Sequence, residues 1–171
     1  EEEDLGSQKT KIAFERLRRI NKNCEIKYSV EKASIKNLET LAQGYEFIID
    51  CTDNFDSRYA INRYCHSTKK FLISASVIGW KGQWFTIDFS RNSPCYECIF
   101  GFSREKDLTC AEAGISPSAV GVLGSLQANE AIKSILGLFN EEELTLNQYD
   151  GQRNRMNSIK IEKDPSCRVC N

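Results

Sequence analysis

The clearest chemical feature of this 171-residue sequence is a pair of CxxC motifs. Cys95 and Cys98 form the first pair, and Cys167 and Cys170 form the second. Four thiolates are a complete tetrahedral ligand set for Zn²⁺, and a filled set leaves no position for water or substrate. The spacing therefore predicts a structural zinc site that fixes the end of the chain to the segment near residue 95. Two disulfides or a redox pair are the alternative.

A polar turn at residues 50–54, with the sequence DCTDN, follows an apolar stretch of strand length. Open α/β sheets bind ligands at the carboxyl ends of their strands, and Mg²⁺ prefers carboxylate and phosphate oxygens. Asp53 is thus a candidate magnesium ligand beside a nucleotide. Asp and Asn before a helix also serve as caps, so the turn by itself supports both interpretations. Arg58 and Asn62 then share one helix face, with a solvated surface as the alternative.

Two further candidate residues, Lys9 and Cys110, lie outside the motifs described above. Lys9 lies where a helix is predicted to begin, and backbone N–H groups there favour an anion. An ordinary surface lysine is the simpler explanation. Cys110 lies in the polar segment 101–114, which is predicted to be a mobile surface loop, and exposure makes its thiol a candidate for reactivity.

The helices and strands that the sequence predicts around these residues indicate one α/β domain over residues 1–171. Helices are predicted at 7–20, 35–42, 54–65 and 116–137, and strands at 25–30, 45–50, 71–75, 82–89, 144–149 and 157–161. Alternating strands and helices are typical of a Rossmann-like sheet with flanking helices. The last two strands predict a hairpin, so the strands should be mixed toward the C-terminal end.

Composition excludes several classes of protein. The sequence holds 23 Lys and Arg against 24 Asp and Glu, a net charge of −1, which argues against nucleic-acid binding. Its apolar runs are far shorter than a membrane span. The single histidine, His66, excludes a zinc site with two histidines. The acidic start is unlike a secretory signal, and the cysteine spacing suits a reducing compartment, so we expect the cytoplasm.

Taken together, these motifs resemble the ThiF/MoeB/HesA family, the bacterial relatives of ubiquitin-activating enzymes. The matching stretches follow one another through nearly the whole chain: 3–9, 50–58, 74–76, 82–83, 94–98, 110–114, 121–133 and 164–170. The resemblance implies an adenylyltransferase that uses ATP to adenylate the C-terminal glycine of a ubiquitin-like sulfur carrier, of the ThiS or MoaD type, and releases pyrophosphate. This step would serve thiamine or molybdenum-cofactor biosynthesis, and the sequence does not choose between them.

The resemblance also implies partners, cofactors and residue roles. Partners would be the carrier with its C-terminal Gly-Gly, a sulfur donor protein and a second copy in a homodimer; cofactors would be ATP, Mg²⁺ and zinc. By motif match, Lys9 looks like the ATP-phosphate lysine, Asp53 the magnesium-linked acid and Asn54 a neighbour of the nucleotide. Arg58 matches a catalytic position more loosely. Cys110 falls where several members carry a thiol that becomes covalently linked, although other members adenylate without it.

One departure from the family pattern concerns the glycine-rich nucleotide loop. Family members carry a strand and a glycine-rich turn upstream of the motif at 3–9, and we expect this N-terminal βα portion to be absent here. The chain would then hold the second two-thirds of the family domain and, alone, would bind ATP poorly and be inactive. A non-catalytic partner subunit, or a carrier-docking module without its own ATP loop, is the alternative function.

Overall fold

A computed structural model describes residues 2–102, 114–140 and 144–170. The chain divides into two compact units, Glu1–Ala33 and Ser34–Asn171. The division reflects how the contacts are distributed along the chain. The single domain over residues 1–171 stays a prediction. No helix in the described ranges is long and apolar enough to cross a membrane.

The first unit contains a short 3₁₀ turn, Glu2–Asp4, and helix α1, Lys9–Ile20. Helix α1 ends at Asn21, as the sequence predicted, and none of its residues is buried. The strand predicted at 25–30 is wrong, because these residues form no strand in the described chain. A strand needs a hydrogen-bonded neighbour, whereas Tyr28 packs its ring against Phe14 of α1, with the centroids 5.0 Å apart.

The second unit is built on a mixed five-stranded sheet in the order β1-β2-β3-β4-β5. Its strands are β1 Phe47–Asp50, β2 Phe71–Ile78, β3 Lys81–Asp88, β4 Thr145–Asp150 and β5 Arg155–Lys160. Strands β1 and β2 are parallel, with Asp50 beside Ser74, and the other pairs are antiparallel. The predicted α/β class, the mixed strands and the closing hairpin are thereby confirmed.

Within the described residues of this unit, the helices beside the sheet are α2 Leu38–Leu41, α3 Phe55–Thr68, α4 Tyr96–Phe100 and α5 Pro117–Ile135. Helix α2 is a single turn, shorter than predicted, because the Asn37 side chain accepts hydrogen bonds from the backbone N–H and hydroxyl of Ser34 and forms a local turn there. Helix α3 connects the parallel strands β1 and β2 and so makes the βαβ unit that the strand and helix pattern indicates.

The long helix α5 packs against β1, β2 and β3. Its buried residues recur every three or four positions: Ala119, Leu123, Gln127, Ala131 and Ser134. The packing is tight at Gly82 of β3, where an added Cβ would lie 2.6 Å from a methyl carbon of Leu123. A larger residue at position 82 would therefore force the Leu123 side chain to move.

Candidate functional site

The four cysteines of the two CxxC motifs lie together in the structure. Their sulfur atoms are all within 4.8 Å of one another; Cys95 and Cys167 are 3.5 Å apart, and Cys98 and Cys170 are 3.6 Å apart. Bonds of about 2.3 Å to one tetrahedral Zn²⁺ place sulfur atoms about 3.8 Å apart, whereas a disulfide needs about 2.05 Å. No disulfide joins these four cysteines in the structure, and the donor set fits zinc.

The surroundings of the cysteine cluster raise the pKa of some of its thiols and lower that of another. Burial raises the pKa of Cys95 to about 11. Burial and the neighbouring sulfurs of Cys95 and Cys98 raise the pKa of Cys170. Burial opposes ionisation of Cys167 too, but the backbone N–H groups of Val169 and Cys170 outweigh it and lower its pKa. Thiolates this close repel one another, and a divalent cation at their centre would offset that repulsion.

Helix α3 holds the first CxxC motif in place. Arg63 donates to the carboxylate of Glu97 from Nε and Nη2, both at 3.1 Å. Glu97 lies between the two cysteines of the motif in the sequence and is buried. The Oδ1 atom of Asn62 accepts the backbone N–H of Tyr96 at 2.9 Å. The solvated-surface alternative for Asn62 is therefore wrong, since its side chain is fully buried. A charge-assisted pair and a buried hydrogen bond together fix the start of α4.

The polar turn after β1 contains two carboxylates in opposite environments. Asp50 is 2% exposed; its Oδ1 accepts the N–H and hydroxyl of Thr52 at 2.9 and 2.7 Å, and its Oδ2 accepts the Ser74 hydroxyl at 3.0 Å. Asp53 is exposed. Asp50 is thus committed to shaping the turn, which leaves Asp53 as the carboxylate of the turn that an incoming ligand can reach.

The residues after Asp53 fix the geometry of the turn. Asn54 caps α3, because its Oδ1 accepts the Ser57 N–H at 3.0 Å; the cap interpretation is confirmed for this residue. Arg58 donates to the Thr52 carbonyl from Nε at 3.2 Å and from Nη2 at 2.9 Å. This two-pronged contact holds the guanidinium over the turn.

Arg58 also contacts the cysteine-bearing region. Burial raises the pKa of the Tyr96 phenol to about 12, and the nearby charge and hydrogen bond of Arg58 partly offset that rise. Tyr96 directly follows Cys95 in the chain. One guanidinium therefore joins the carboxylate turn to the first residue of α4.

Gln127 is a site-building residue that the sequence analysis missed. Its side chain is buried, and Nε2 donates to the carbonyls of Asp50 and Ile73, both at 2.9 Å. Its Oε1 accepts from the thiol of Cys51 at 3.2 Å. These contacts tie the carboxyl end of β1 to β2. The signal was a lone glutamine spaced four residues from both Leu123 and Ala131 on the buried face of α5.

The last two candidate residues lie apart from these contacts. Lys9 is the first residue of α1 and is exposed, at the helix N-terminus where the sequence placed it. Its position relative to Asp53 stays a prediction. Cys110 and most of the loop expected at 101–114 lie outside the described residues.

Comparison with known proteins places these features in a family. The model of the ThiF family matches residues 1–169. The molybdopterin-synthase adenylyltransferase of Salmonella typhimurium is 33% identical over 166 residues, covering 97% of this chain and 67% of that protein. The sulfur carrier protein ThiS adenylyltransferase of Escherichia coli is 30% identical over 169 residues, covering 98% of this chain and 66% of that protein.

The fold is also similar to solved structures. The crystal structure of E. coli MccB with ATP superimposes with a TM-score of 0.79 at 18% identity, over the whole of this chain and 53% of MccB. The chain spans about two thirds of the length of these curated relatives and about half of the MccB chain.

Proposed function

This chain belongs to the ThiF family, and we propose that the protein is an adenylyltransferase that activates the C-terminal carboxylate of a ubiquitin-like sulfur carrier. Two relatives at 30% identity or more are named as adenylyltransferases, one for molybdopterin synthase and one for ThiS. The structural observation that carries the proposal is the turn after β1, where Asp53 is exposed while Asp50 is buried and fully engaged.

In the proposed reaction, a carboxylate oxygen of the carrier forms a bond to the α-phosphorus of ATP. The bond from that phosphorus to the bridging oxygen breaks, and its electron pair leaves with pyrophosphate. Both reactants are anionic, so the site must offset their charge. Asp53 is the residue that would hold Mg²⁺, which supplies positive charge to the leaving pyrophosphate.

Each neighbouring residue has a distinct task in this proposal. Asn54 fixes the start of α3 through its cap. The cap would thereby also fix the backbone that carries the preceding residue, Asp53. Arg58 holds the Thr52 carbonyl and contributes a positive charge near the reacting phosphates. Lys9 binds a phosphate of ATP from the N-terminus of α1, where the helix dipole also favours an anion.

We propose that the carrier is of the ThiS or MoaD type and ends in Gly-Gly. The relatives include adenylyltransferases for both types of carrier at similar identity. The protein would therefore serve either thiamine or molybdenum-cofactor biosynthesis, and its preference between the two carriers decides which. A sulfur donor protein would then supply sulfur at the sulfide level to the acyl carbon, which forms the C–S bond of the thiocarboxylate as the bond to AMP breaks and AMP leaves. The proposed assembly is a homodimer, which light scattering of the purified protein checks through its mass.

Cys110 is proposed to act after adenylation through a covalent link, for which the motif match names the carrier or the sulfur donor. In the link with the carrier, the Cys110 thiolate would attack the carbonyl carbon of the acyl-adenylate, so that a thioester forms while the bond to AMP breaks and AMP leaves. This assignment rests on the sequence motif at 110–114. A Cys110→Ala variant should keep carrier-dependent pyrophosphate exchange and lose formation of the thiocarboxylate. Mass spectrometry of the carrier C-terminus measures the second step, and a normal yield of thiocarboxylate would remove the assignment.

We also propose that Cys95, Cys98, Cys167 and Cys170 hold one structural Zn²⁺. Four sulfur ligands fill its coordination, so the ion would stabilise the fold and take no part in adenylation. Metal analysis of the purified protein should find one zinc per chain.

Carrier-dependent exchange of labelled pyrophosphate into ATP tests the main proposal. The full-length protein should catalyse exchange with a carrier ending in Gly-Gly and should not do so when the terminal glycine is removed. Comparison of ThiS-type and MoaD-type carriers identifies the preferred one. Tight carrier binding without exchange would instead favour the non-catalytic docking subunit.

A further inference from the structure

The side-chain amide of Asn62, in the middle of α3, has a hydrogen-bonded oxygen and a nitrogen whose hydrogen-bonding capacity is not used within the described residues. The residue is fully buried. Its Oδ1 accepts the backbone N–H of Tyr96 at 2.9 Å. Its Nδ2 is buried and makes no hydrogen bond of normal geometry with any residue in the described ranges. Leaving such a donor unsatisfied costs about 1–3 kcal/mol, so its position needs a physical reason.

The surroundings of Asn62 supply that reason. Tyr96 directly follows Cys95, and the Asn62 amide group also contacts the Cys95 thiol, which is itself fully buried. A neutral thiol is a weak acceptor. A metal-bound thiolate carries negative charge, and hydrogen bonds to charged groups are the stronger ones. The orphaned donor thus lies beside the atom that becomes a good acceptor when a metal ion is bound.

We propose that Asn62 is a positioning residue of the cysteine cluster, with its Nδ2–H group donating to the Cys95 thiolate of the metal-bound site. This inference rests on the zinc site proposed above. Oδ1 and Nδ2 then act together, since one fixes the backbone immediately after Cys95 and the other fixes its sulfur. Loss of a group that supports a metal ligand in this way typically weakens metal binding about 10–100-fold.

Two substitutions separate the donor from the acceptor. Asn62→Asp keeps an oxygen for the Tyr96 N–H but replaces the donor by oxygen, and Asn62→Leu removes both groups at similar size. Because burial and nearby thiolates raise the pKa of a carboxyl group, the pH is raised until infrared absorption of the aspartate variant shows the carboxylate form, which cannot donate. Because the aspartate variant is nearly isosteric, it carries the test even if the leucine variant fails to fold.

Arg63→Met is the matched control. Arg63 is the next residue of α3 and supports the same motif through Glu97, with its guanidinium bonded to a carboxylate rather than to sulfur. This variant should lower thermal stability, since it leaves a buried carboxylate unpaired. It separates a general loosening of α4 from an effect on the thiolate.

Zinc affinity by competition with a chelator and the spectrum of the Co²⁺-substituted protein are the measurements. Both Asn62 variants should bind zinc about 10–100-fold more weakly than wild type, and their thiolate-to-cobalt charge-transfer band should shift to lower energy. Arg63→Met should leave the band in place. Wild-type affinity and an unshifted band in Asn62→Asp would overturn the inference and leave the zinc site standing. A wild-type protein that binds no zinc would overturn both.

Discussion

The cysteine cluster and the carboxylate turn are both built around α3, but they are completed in different ways. Cys95 and Cys167 are buried, and all four sulfurs converge within the chain. In the turn, the buried carboxylate of Asp50 is saturated by hydrogen bonds while Asp53 is exposed. If the two sites act as proposed, the fold would enclose a metal ion where it needs rigidity and leave the charge of Asp53 accessible where a substrate would arrive.

The two regions are also connected physically. Asn62 and Arg63 hold α4, and Arg58, one turn earlier on the same helix, bonds the Thr52 carbonyl and lies against Tyr96. A change in the cysteine cluster can therefore reach the turn through α3, while a change at the exposed Asp53 should leave the cluster intact. Substitutions in each region test whether the two regions differ in this way.

Cys167→Ser should have the largest effect. It removes a buried ligand from the cluster, and structural zinc sites contribute directly to folding, so we expect loss of the metal and a fall in Tm of about 10 °C or more. Metal analysis and thermal unfolding provide the readouts.

Cys24→Ser is the control for this experiment. Cys24 is an exposed free thiol in the first unit, so its replacement should change neither metal content nor Tm. If Cys167→Ser retained zinc and melted like wild type, the cluster would not be a structural metal site.

Asp53→Asn should reduce carrier-dependent pyrophosphate exchange about 100- to 1000-fold, the range for removal of a group that stabilises charge in a transition state. Its Tm should stay near that of wild type, because the side chain is exposed. Asp56→Asn is the matched control, since Asp56 is an exposed aspartate three residues later, in the first turn of α3. Equal exchange rates in the two variants would argue against a special role for Asp53.

Short-range patterns in the sequence predicted much of both regions. The CxxC spacing indicates a metal-ligand set regardless of the intervening fold, and Asn54 caps α3 because the cap depends only on Ser57, three residues away. The strands of the second unit and its helices α3 and α5 follow from equally local periodicity, whereas α4 was not predicted. The strand expected at 25–30 failed because its existence depends on a partner strand that local sequence cannot specify.

The supporting residues could not be found in this way. Asn62 contacts Tyr96 at a separation of 34 residues, and Gln127 reaches the Asp50 carbonyl from 77 residues away. In the sequence, Asn62 reads equally well as surface, and Gln127 reads as a polar interruption of an apolar helix. Only the packing of α3 and α5 reveals that each amide serves a buried backbone group.

Arg58→Lys should have an intermediate effect. Lysine keeps the positive charge but cannot make the paired contact of Nε and Nη2 with the Thr52 carbonyl. We expect exchange to fall about 10-fold, the equivalent of roughly 1.4 kcal/mol of transition-state stabilisation. An unchanged rate would mean that charge alone matters here, and a loss as large as that of Asp53→Asn would assign Arg58 a direct part in the reaction.

The smallest expected effect is a dependence of stability on pH that arises at the other end of α3. His66 lies in the last turn of this helix, with its ring edge-to-face against Phe89 at 5.4 Å. A helix C-terminus normally favours a protonated histidine. Here burial, followed by the positive charges of Lys69 and Lys163, lowers the pKa of His66 from 6.5.

The sign of the effect follows from this lowered pKa. The unfolded chain binds the proton more readily, so the contribution of His66 to stability is complete above pH 6.5 and is lost as pH falls through the folded-state pKa. Acid would also protonate the thiolates of the proposed zinc site, so the informative quantity is the difference between wild type and His66→Asn in the free energy of unfolding. That difference should change only below neutral pH. A constant difference would assign the acid sensitivity to the cluster alone and leave the far end of α3 without a part in it.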